Sequence, residues 1–268
     1  MGKGTKYVAK VPDENGYIHY TDEENRIWHE LITRQKPSLP GRACQAYINA
    51  LERLDLPEDR VPQAEDVSRV LRDYTGWEVA PVPALINFTD FFNLLANKKF
   101  PAASFIRSRD EMEYLQEPDI FHEIFGHTPH LTDPRFAAFT HAYGKAGAAA
   151  RKEDRPWLAR LYWFTVEFGL VDLPDEGLRT YGAGVVSSIA ETRYALDSDE
   201  PLRKPFDVLD VLRTPYRIDI MQPVYFVLKS FDTLFEVAQM DLLKLIKEAQ
   251  AMGMHEPLFP PKEQAATA

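Results

Sequence analysis

His122 and His127 stand five residues apart in the run His122-Glu123-Ile124-Phe125-Gly126-His127, with apolar neighbours on both sides. Two imidazoles this close in an apolar setting suit a metal ion, and their spacing bears on how it is held. Zinc peptidases of the HExxH type place their ligands four apart, on one face of an α-helix. A step of five turns the second ring by about 140° around an ideal helix, at about 100° per residue. Both rings then reach one ion only if it sits off the helix end or the helix loosens, and Gly126 is a place to loosen it. A third ligand must come from elsewhere. Leu161 to Leu170 is apolar and aromatic apart from Glu167. A carboxylate among such neighbours is costly to bury unless it is paired or bound to metal. Two histidines and one carboxylate on one face of an ion leave three positions open, the arrangement of non-haem Fe(II) oxygenases. Zinc in the same ligands would be four-coordinate and activate water. A salt bridge to arginine would serve Glu167 equally well, and spacing does not choose iron over zinc.

The elements that position these residues read as mostly α with a few short β-strands. Residues 1–20 form an extended arm, and Thr21-Asp22-Glu23-Glu24 is a capping box opening a helix toward Ile32. Helix-spaced apolar residues fill Ala43–Leu54 and Ala64–Tyr74, punctuated by Pro37, Pro40, Pro57 and Pro62. Short strands are expected near Val79, Val82 and Ile86 and over Ser104–Arg107. Between them Thr89 and Asp90 cap a short helix carrying Phe91 to Leu95. Helices follow over Asp119–His127, Pro134–Ala149 and Arg155–Gly169. Thr180–Val186 is a glycine-interrupted loop, Ser187–Leu196 a helix, Arg217–Ile220 and Val224–Val227 strands, and Thr233–Ala249 one long helix. Residues 252–268 are a polar tail. No strand–helix alternation builds a doubly wound sheet, and no Gly-rich phosphate loop is present. The chain is expected to be one catalytic domain, residues 1–268.

Composition narrows the partners. With 41 acidic against 31 basic residues the net charge is -10, and no Lys/Arg stripe offers a nucleic-acid footprint. No stretch approaches the roughly 18 apolar residues of a membrane span. One cysteine, Cys44, excludes an internal disulfide and fits a reducing compartment, so a cytoplasmic location is expected. The N-terminus has no apolar secretory segment.

Taken together, the motifs resemble those of the tetrahydropterin-dependent aromatic amino acid hydroxylases. Tyr114 to His127 is similar to that family's iron-binding segment, Leu161 to Leu170 to its carboxylate-ligand helix, and Tyr181-Gly182-Ala183-Gly184-Val185-Val186-Ser187-Ser188 to its substrate-side loop. The three stand in the family's order. The resemblance runs from about Pro81 to Ser230. It implies that the fold is the family's catalytic domain and that His122, His127 and Glu167 bind Fe(II). It further implies that Arg107 holds the substrate carboxylate, oriented by Asp119 and assisted by Ser187, while Pro118, Trp163 and Phe168 wall the substrate ring. Phe91 would stack on a tetrahydrobiopterin or related tetrahydropterin, Glu123 would face that pterin, and Tyr162 would lie close to the iron. Animal members carry Thr where this chain has Leu115, so one substrate hydrogen bond is in doubt. The chain is most similar to the short bacterial members, lacking the regulatory and tetramerisation segments of the long forms. That implies a monomer acting on L-phenylalanine with O2 and reduced pterin. Tryptophan or tyrosine hydroxylation by the same chemistry is the alternative, and a zinc peptidase using HExxGH a more distant one, because its second Glu-rich signature is missing.

Overall fold

Thr21 ends the N-terminal arm by capping a helix. In this computed structural model, which describes residues 7–113, 115 and 117–261, Thr21 Oγ1 accepts from the Glu24 N–H at 3.2 Å and Glu24 Oε2 accepts from the Thr21 N–H at 2.7 Å. The reciprocal pair satisfies two donors that a helix start leaves open. The first six residues of the expected arm, the last seven of the tail, and Tyr114 and Gln116 of the motif lie outside the described residues. The capped helix α1 (Asp22–Gln35) buries Ile27, Trp28, Leu31 and Ile32 along one face; α2 (Gln45–Leu54) and α3 (Ala64–Thr75) follow as expected. Trp28 meets Phe121 edge-on at 5.4 Å, and Phe121 stacks on Phe125 at 4.9 Å. The helical N-terminal half thus packs directly behind the histidine motif. Removing a ring of this size from a closed core costs about 3–5 kcal/mol.

Two small sheets complete the frame. β1 (Glu78–Val82) pairs in parallel with β2 (Lys99–Ala103), joined by α4 (Phe88–Ala96). After α5 (Pro134–Ala149) and α6 (Arg155–Tyr162) comes a four-stranded sheet in the order β4-β3-β6-β5. Its strands are β3 (Leu170–Leu173), β4 (Gly177–Thr180), β5 (Leu202–Pro205) and β6 (Val224–Leu228), with β3–β4 antiparallel and the other pairs parallel. Between β4 and β5 lie α7 (Ala183–Val186) and α8 (Ile189–Asp197), between β5 and β6 lies α9 (Val208–Arg213), and the chain ends in α10 (Asp232–Ala238) and α11 (Leu242–Met252). The mostly helical class with short strands is as expected. Among the described residues, no helix is long and apolar enough to cross a membrane.

Several boundaries differ, each for a local reason. Asn87, not Thr89 or Asp90, caps α4: its side chain accepts from the Asp90 N–H at 3.0 Å, which brings Phe88 into the helix. The second strand is Lys99–Ala103 rather than Ser104–Arg107. Its partner runs out at Val82, and the Arg107 N–H is taken by the Asp119 carboxylate at 3.0 Å. The expected helix over Arg155–Gly169 changes winding at Trp163 and stops at Phe168. The expected loop at Thr180–Val186 is the end of β4 followed by α7. Strands β3, β4 and β5 went unforeseen; each is four residues long, too short for an alternating pattern to show. Arg217–Ile220 pairs with no strand. The helix expected over Thr233–Ala249 breaks at Gln239–Asp241, where Asp241 caps α11 by accepting from the Lys244 N–H at 3.0 Å.

Candidate metal centre and substrate cavity

The five-residue spacing is resolved by helix winding. His122–His127 forms a π turn. A π turn closes each residue onto the one five further along, so residues five apart lie on one face. An α-helix would have put the two rings on different sides. Side chains take up carbonyls along the widened turn: Thr128 Oγ1 donates to Ile124 O at 2.6 Å and the Tyr47 hydroxyl donates to Phe125 O at 2.5 Å. Gly126 serves closeness rather than looseness, since a Cβ there would stand 2.9 Å from Ala183 O in α7. Trp163–Glu167 is a second π turn, closed by the Phe168 N–H donating to Trp163 O at 2.8 Å. It carries Glu167 to the histidines.

Three donor groups converge there. His122 Nε2 and His127 Nε2 are 3.1 Å apart, Glu167 Oε1 is 3.1 Å from His127 Nε2, and Glu167 Oε2 is 3.5 Å from His122 Nε2. Ligands at about 2.1 Å and right angles on one ion stand about 3.0 Å apart, whereas a tetrahedral arrangement sets them about 3.4 Å apart. The observed 3.1–3.5 Å separations, which use both oxygens of Glu167, fall in this range and show the three groups converging on one point. The tautomers fit as well. Ser187 Oγ donates to Ala183 O at 2.6 Å, so it accepts from His122 Nδ1 at 3.0 Å and leaves the Nε2 lone pair facing the other ligands. Two imidazole nitrogens turned toward each other beside a carboxylate are held by a shared proton or by a metal cation, and a divalent ion with room for further ligands fits this donor set.

Electrostatics separates the two nearby carboxylates. Glu123 Oε2 also lies near, 3.8 Å from His127 Nε2, and by proximity alone it would join the histidines as a ligand. Burial pushes the Glu123 carboxyl up to about 8, with His122 only partly opposing, so it keeps its proton at neutral pH. Burial acts on Glu167 in the same sense, but His127 and His122 outweigh it and hold its carboxyl well below the usual range. Glu167 is therefore the anion available to a cation. Burial disfavours the charged form of both histidines; beside Glu167 the net shift of His122 is nevertheless upward, while burial prevails at His127 and lowers it. His130, which the sequence did not single out, is neutral, pushed by burial down to about 4, and engages Tyr181 O at 2.7 Å away from the triad.

His122 and Glu167 form part of the wall of a cavity of about 650 Å³. Arg107, Pro118, Trp163, Phe168 and Ser187 line it too, as does Leu115. Asp119, fully buried, accepts from Arg107 Nε at 2.8 Å and from Nη2 at 3.0 Å, and also from the His122 N–H at 3.1 Å. One carboxylate thus ties the arginine to the histidine turn. Asp119 occupies the Nε/Nη2 side of the guanidinium, leaving Nη1, 3.4 Å from Met112 O, and the second Nη2 hydrogen as donors for a ligand. Ser187 has its single proton committed to Ala183, so it supports His122 instead of donating to a ligand carboxylate. Phe91, Glu123 and Tyr162 do not line this cavity. They collect on the His127 side, where Phe91 meets Tyr162 edge-on at 5.5 Å and Tyr162 lies 6.1 Å from the His127 ring. Missed from the sequence were Gln222, Met112, Gln35 and Leu31 in the cavity wall, and Tyr216 stacked behind Trp163 at 4.5 Å. A polar Gln222 next to the all-apolar β6 was the one available signal.

Known proteins share this fold. The profile of the biopterin-dependent aromatic amino acid hydroxylases matches residues 5–249. The chain belongs to this family. It is 57% identical over 263 residues to phenylalanine-4-hydroxylase of Pseudomonas aeruginosa, covering 98% of this chain and 100% of that one. Among solved structures, the apo form of a cold-active phenylalanine hydroxylase from Colwellia psychrerythraea superposes with a TM-score of 0.93 at 58% identity, covering 96% and 99% of the two chains. The Chromobacterium violaceum phenylalanine hydroxylase with bound oxidised Fe(III) superposes with a TM-score of 0.87 at 42% identity, covering 94% and 92%. Family membership sets aside the zinc-peptidase alternative, in keeping with histidines five apart on a π turn rather than four apart on an α-helix.

Proposed function

We propose that this hydroxylase converts L-phenylalanine to L-tyrosine with O2 and a reduced pterin, as one catalytic domain over residues 1–268 holding Fe(II) on His122, His127 and Glu167. The observation that carries the reading is the convergence of two imidazoles and one anionic carboxylate, 3.1–3.5 Å apart, at the wall of a cavity that also presents Arg107 and the aromatic rings of Trp163 and Phe168. The relatives named for phenylalanine hydroxylation support phenylalanine over tryptophan or tyrosine. The iron and tetrahydropterin, when bound, supply O2 activation and the two electrons the reaction needs.

The chain's own residues do the rest. Arg107, charged and braced by Asp119, draws the amino acid carboxylate to one end of the cavity through the donors that Asp119 leaves free. Pro118, Trp163 and Phe168 press on the substrate ring, exclude water, and hold the para carbon toward the His122–Glu167 side. Ser187 and Ala183 fix the His122 ring plane. Phe91 offers a stacking face on the His127 side for the pterin, and Glu123 presents its carboxyl on the same side. The reading takes the enzyme as a cytoplasmic monomer; its net charge of -10 argues against polyanionic partners.

Anaerobic loading with Fe(II), followed by aerobic turnover of phenylalanine, tyrosine and tryptophan with tetrahydropterin, tests the proposal. Pterin-dependent tyrosine formation, with phenylalanine the best substrate, is expected. No tyrosine from the iron-loaded protein would overturn it.

A further inference from the structure

Gln222 is a polar residue in an apolar wall, and its amide is fully engaged. It is 1% exposed and sits at the entrance to β6. Nε2 donates to Arg217 O at 3.0 Å and to Ile220 O at 2.9 Å, while Oε1 accepts from the Trp163 indole Nε1–H at 2.9 Å. An amide so buried is tolerated because its donors and acceptor are matched. The indole it holds is clasped between Tyr216, 4.5 Å away at an interplanar angle of 17°, and Phe168, 4.4 Å away at 33°. Ring-on-ring contact sets the spacing and tilt of Trp163, yet resists sliding within the ring plane only weakly, since dispersion has little direction. A hydrogen bond at Nε1 supplies the missing restraint. The same amide closes the turn 217–221, whose Ile218, Ile220 and Met221 line the cavity beside Trp163.

We propose that Gln222 is a positioning residue for the substrate ring: it fixes the in-plane position of Trp163 and locks that ring to the 217–221 turn, so that a phenyl-sized ring has one depth in the cavity. This rests on the functional reading above. The consequence is specific. Loosening Trp163 leaves pterin and metal binding alone but lets the amino acid ring sit at several depths, so pterin is oxidised without product and larger rings are tolerated.

The experiment compares Gln222→Met, of similar length but without the hydrogen bonds, with Trp163→Phe, which keeps a ring and removes the Nε1–H, and with the double variant. Each is assayed for amino acid KM, pterin KM, tyrosine formed per pterin oxidised, and the phenylalanine-to-tryptophan preference. Gln222→Met is expected to raise the phenylalanine KM by about tenfold, the scale of one lost buried hydrogen bond with its partner left unpaired. Its pterin KM stays within about twofold, its tyrosine yield per pterin falls, and its discrimination against tryptophan weakens. If the Trp163–Gln222 bond is the route, the double variant is no worse than Gln222→Met by more than about twofold, because both singles break the same contact. Wild-type product yield in either single variant, effects that multiply in the double, or a pterin KM rising in step with the amino acid KM would overturn the proposal. Should Gln222→Met fold poorly, Trp163→Phe alone decides it by the same yield and preference readouts. A wild-type enzyme making no tyrosine would instead refute the functional reading.

Discussion

The floor and the mouth of the cavity are built on opposite principles. At the floor, His122, His127 and Glu167 ride on two π turns, the first with carbonyls tied down by Thr128 and Tyr47, and Asp119 is bonded to both Arg107 and the His122 N–H. At the mouth, Leu85 and Ile218 are 66% and 65% exposed and Met221 is 39% exposed. Ligands of one ion must be held to within a few tenths of an ångström, which takes buried, saturated hydrogen bonding. A mouth that admits an amphipathic amino acid needs only apolar surface. The contrast teaches that changes at the floor should act on metal and chemistry, and changes at the mouth on substrate affinity alone.

The largest effect on metal affinity is expected where the floor has no slack. In Gly182→Ala the new Cβ would lie 2.4 Å from Glu167 O and 2.5 Å from the Gly169 nitrogen, backbone atoms that cannot swing aside. Thermal melting should show a loss of about 1–3 kcal/mol, and titration should show metal affinity down by about tenfold or more. Wild-type affinity would mean that the floor is softer than described. Arg107→Ala acts on stability and substrate instead: it strands the fully buried Asp119 carboxylate, at about 3–5 kcal/mol of stability, and should raise the amino acid KM far more than the pterin KM. Phe91→Ala should do the reverse, since Phe91 lies on the His127 side; steady-state kinetics with both substrates varied separates the two.

A third prediction concerns pH. The His122 pKa is raised: burial opposes the charge, but Glu167 outweighs it. In the metal-free protein this contribution to stability is complete below the unfolded value of about 6.5 and is lost as pH rises through the folded value. Metal binding, by contrast, needs His122 deprotonated and strengthens over the same range. The rise in melting temperature on adding metal should therefore grow from about pH 6 to about pH 8; an increment that shrinks would count against His122 as a ligand. The smallest effect belongs to the mouth. Leu115→Thr should lower the amino acid KM by about two- to tenfold, the worth of one hydrogen bond, with metal content unchanged by elemental analysis.

How much of this was legible in the sequence follows from the same contrast. His122, His127, Glu167, Arg107 and Asp119 could be picked out because their chemistry admits few residue types and their motifs are contiguous. What could not be read was the winding. A five-residue histidine step looked like a geometric obstacle relieved at Gly126, whereas the relief is a π turn spread over six residues and Gly126 serves close packing on Ala183. Hydrogen-bond direction was equally hidden: Ser187 has one proton, and only the coordinates show Ala183 taking it. Cavity-wall residues such as Gln222, Met112 and Leu31 come from segments remote in sequence, and only the folded chain collects them. Short strands β3 to β5 escaped because their ladders are set by partners in the sheet.

The central claim is that one ion is held by His122, His127 and Glu167, with Glu123 outside the ligand set. Equilibrium titration of Glu167→Gln and Glu123→Gln with Fe(II) under anaerobic conditions tests it most directly. The account predicts one ion per chain in Glu123→Gln, as in wild type, and none retained by Glu167→Gln. Iron kept by Glu167→Gln and lost from Glu123→Gln would contradict it.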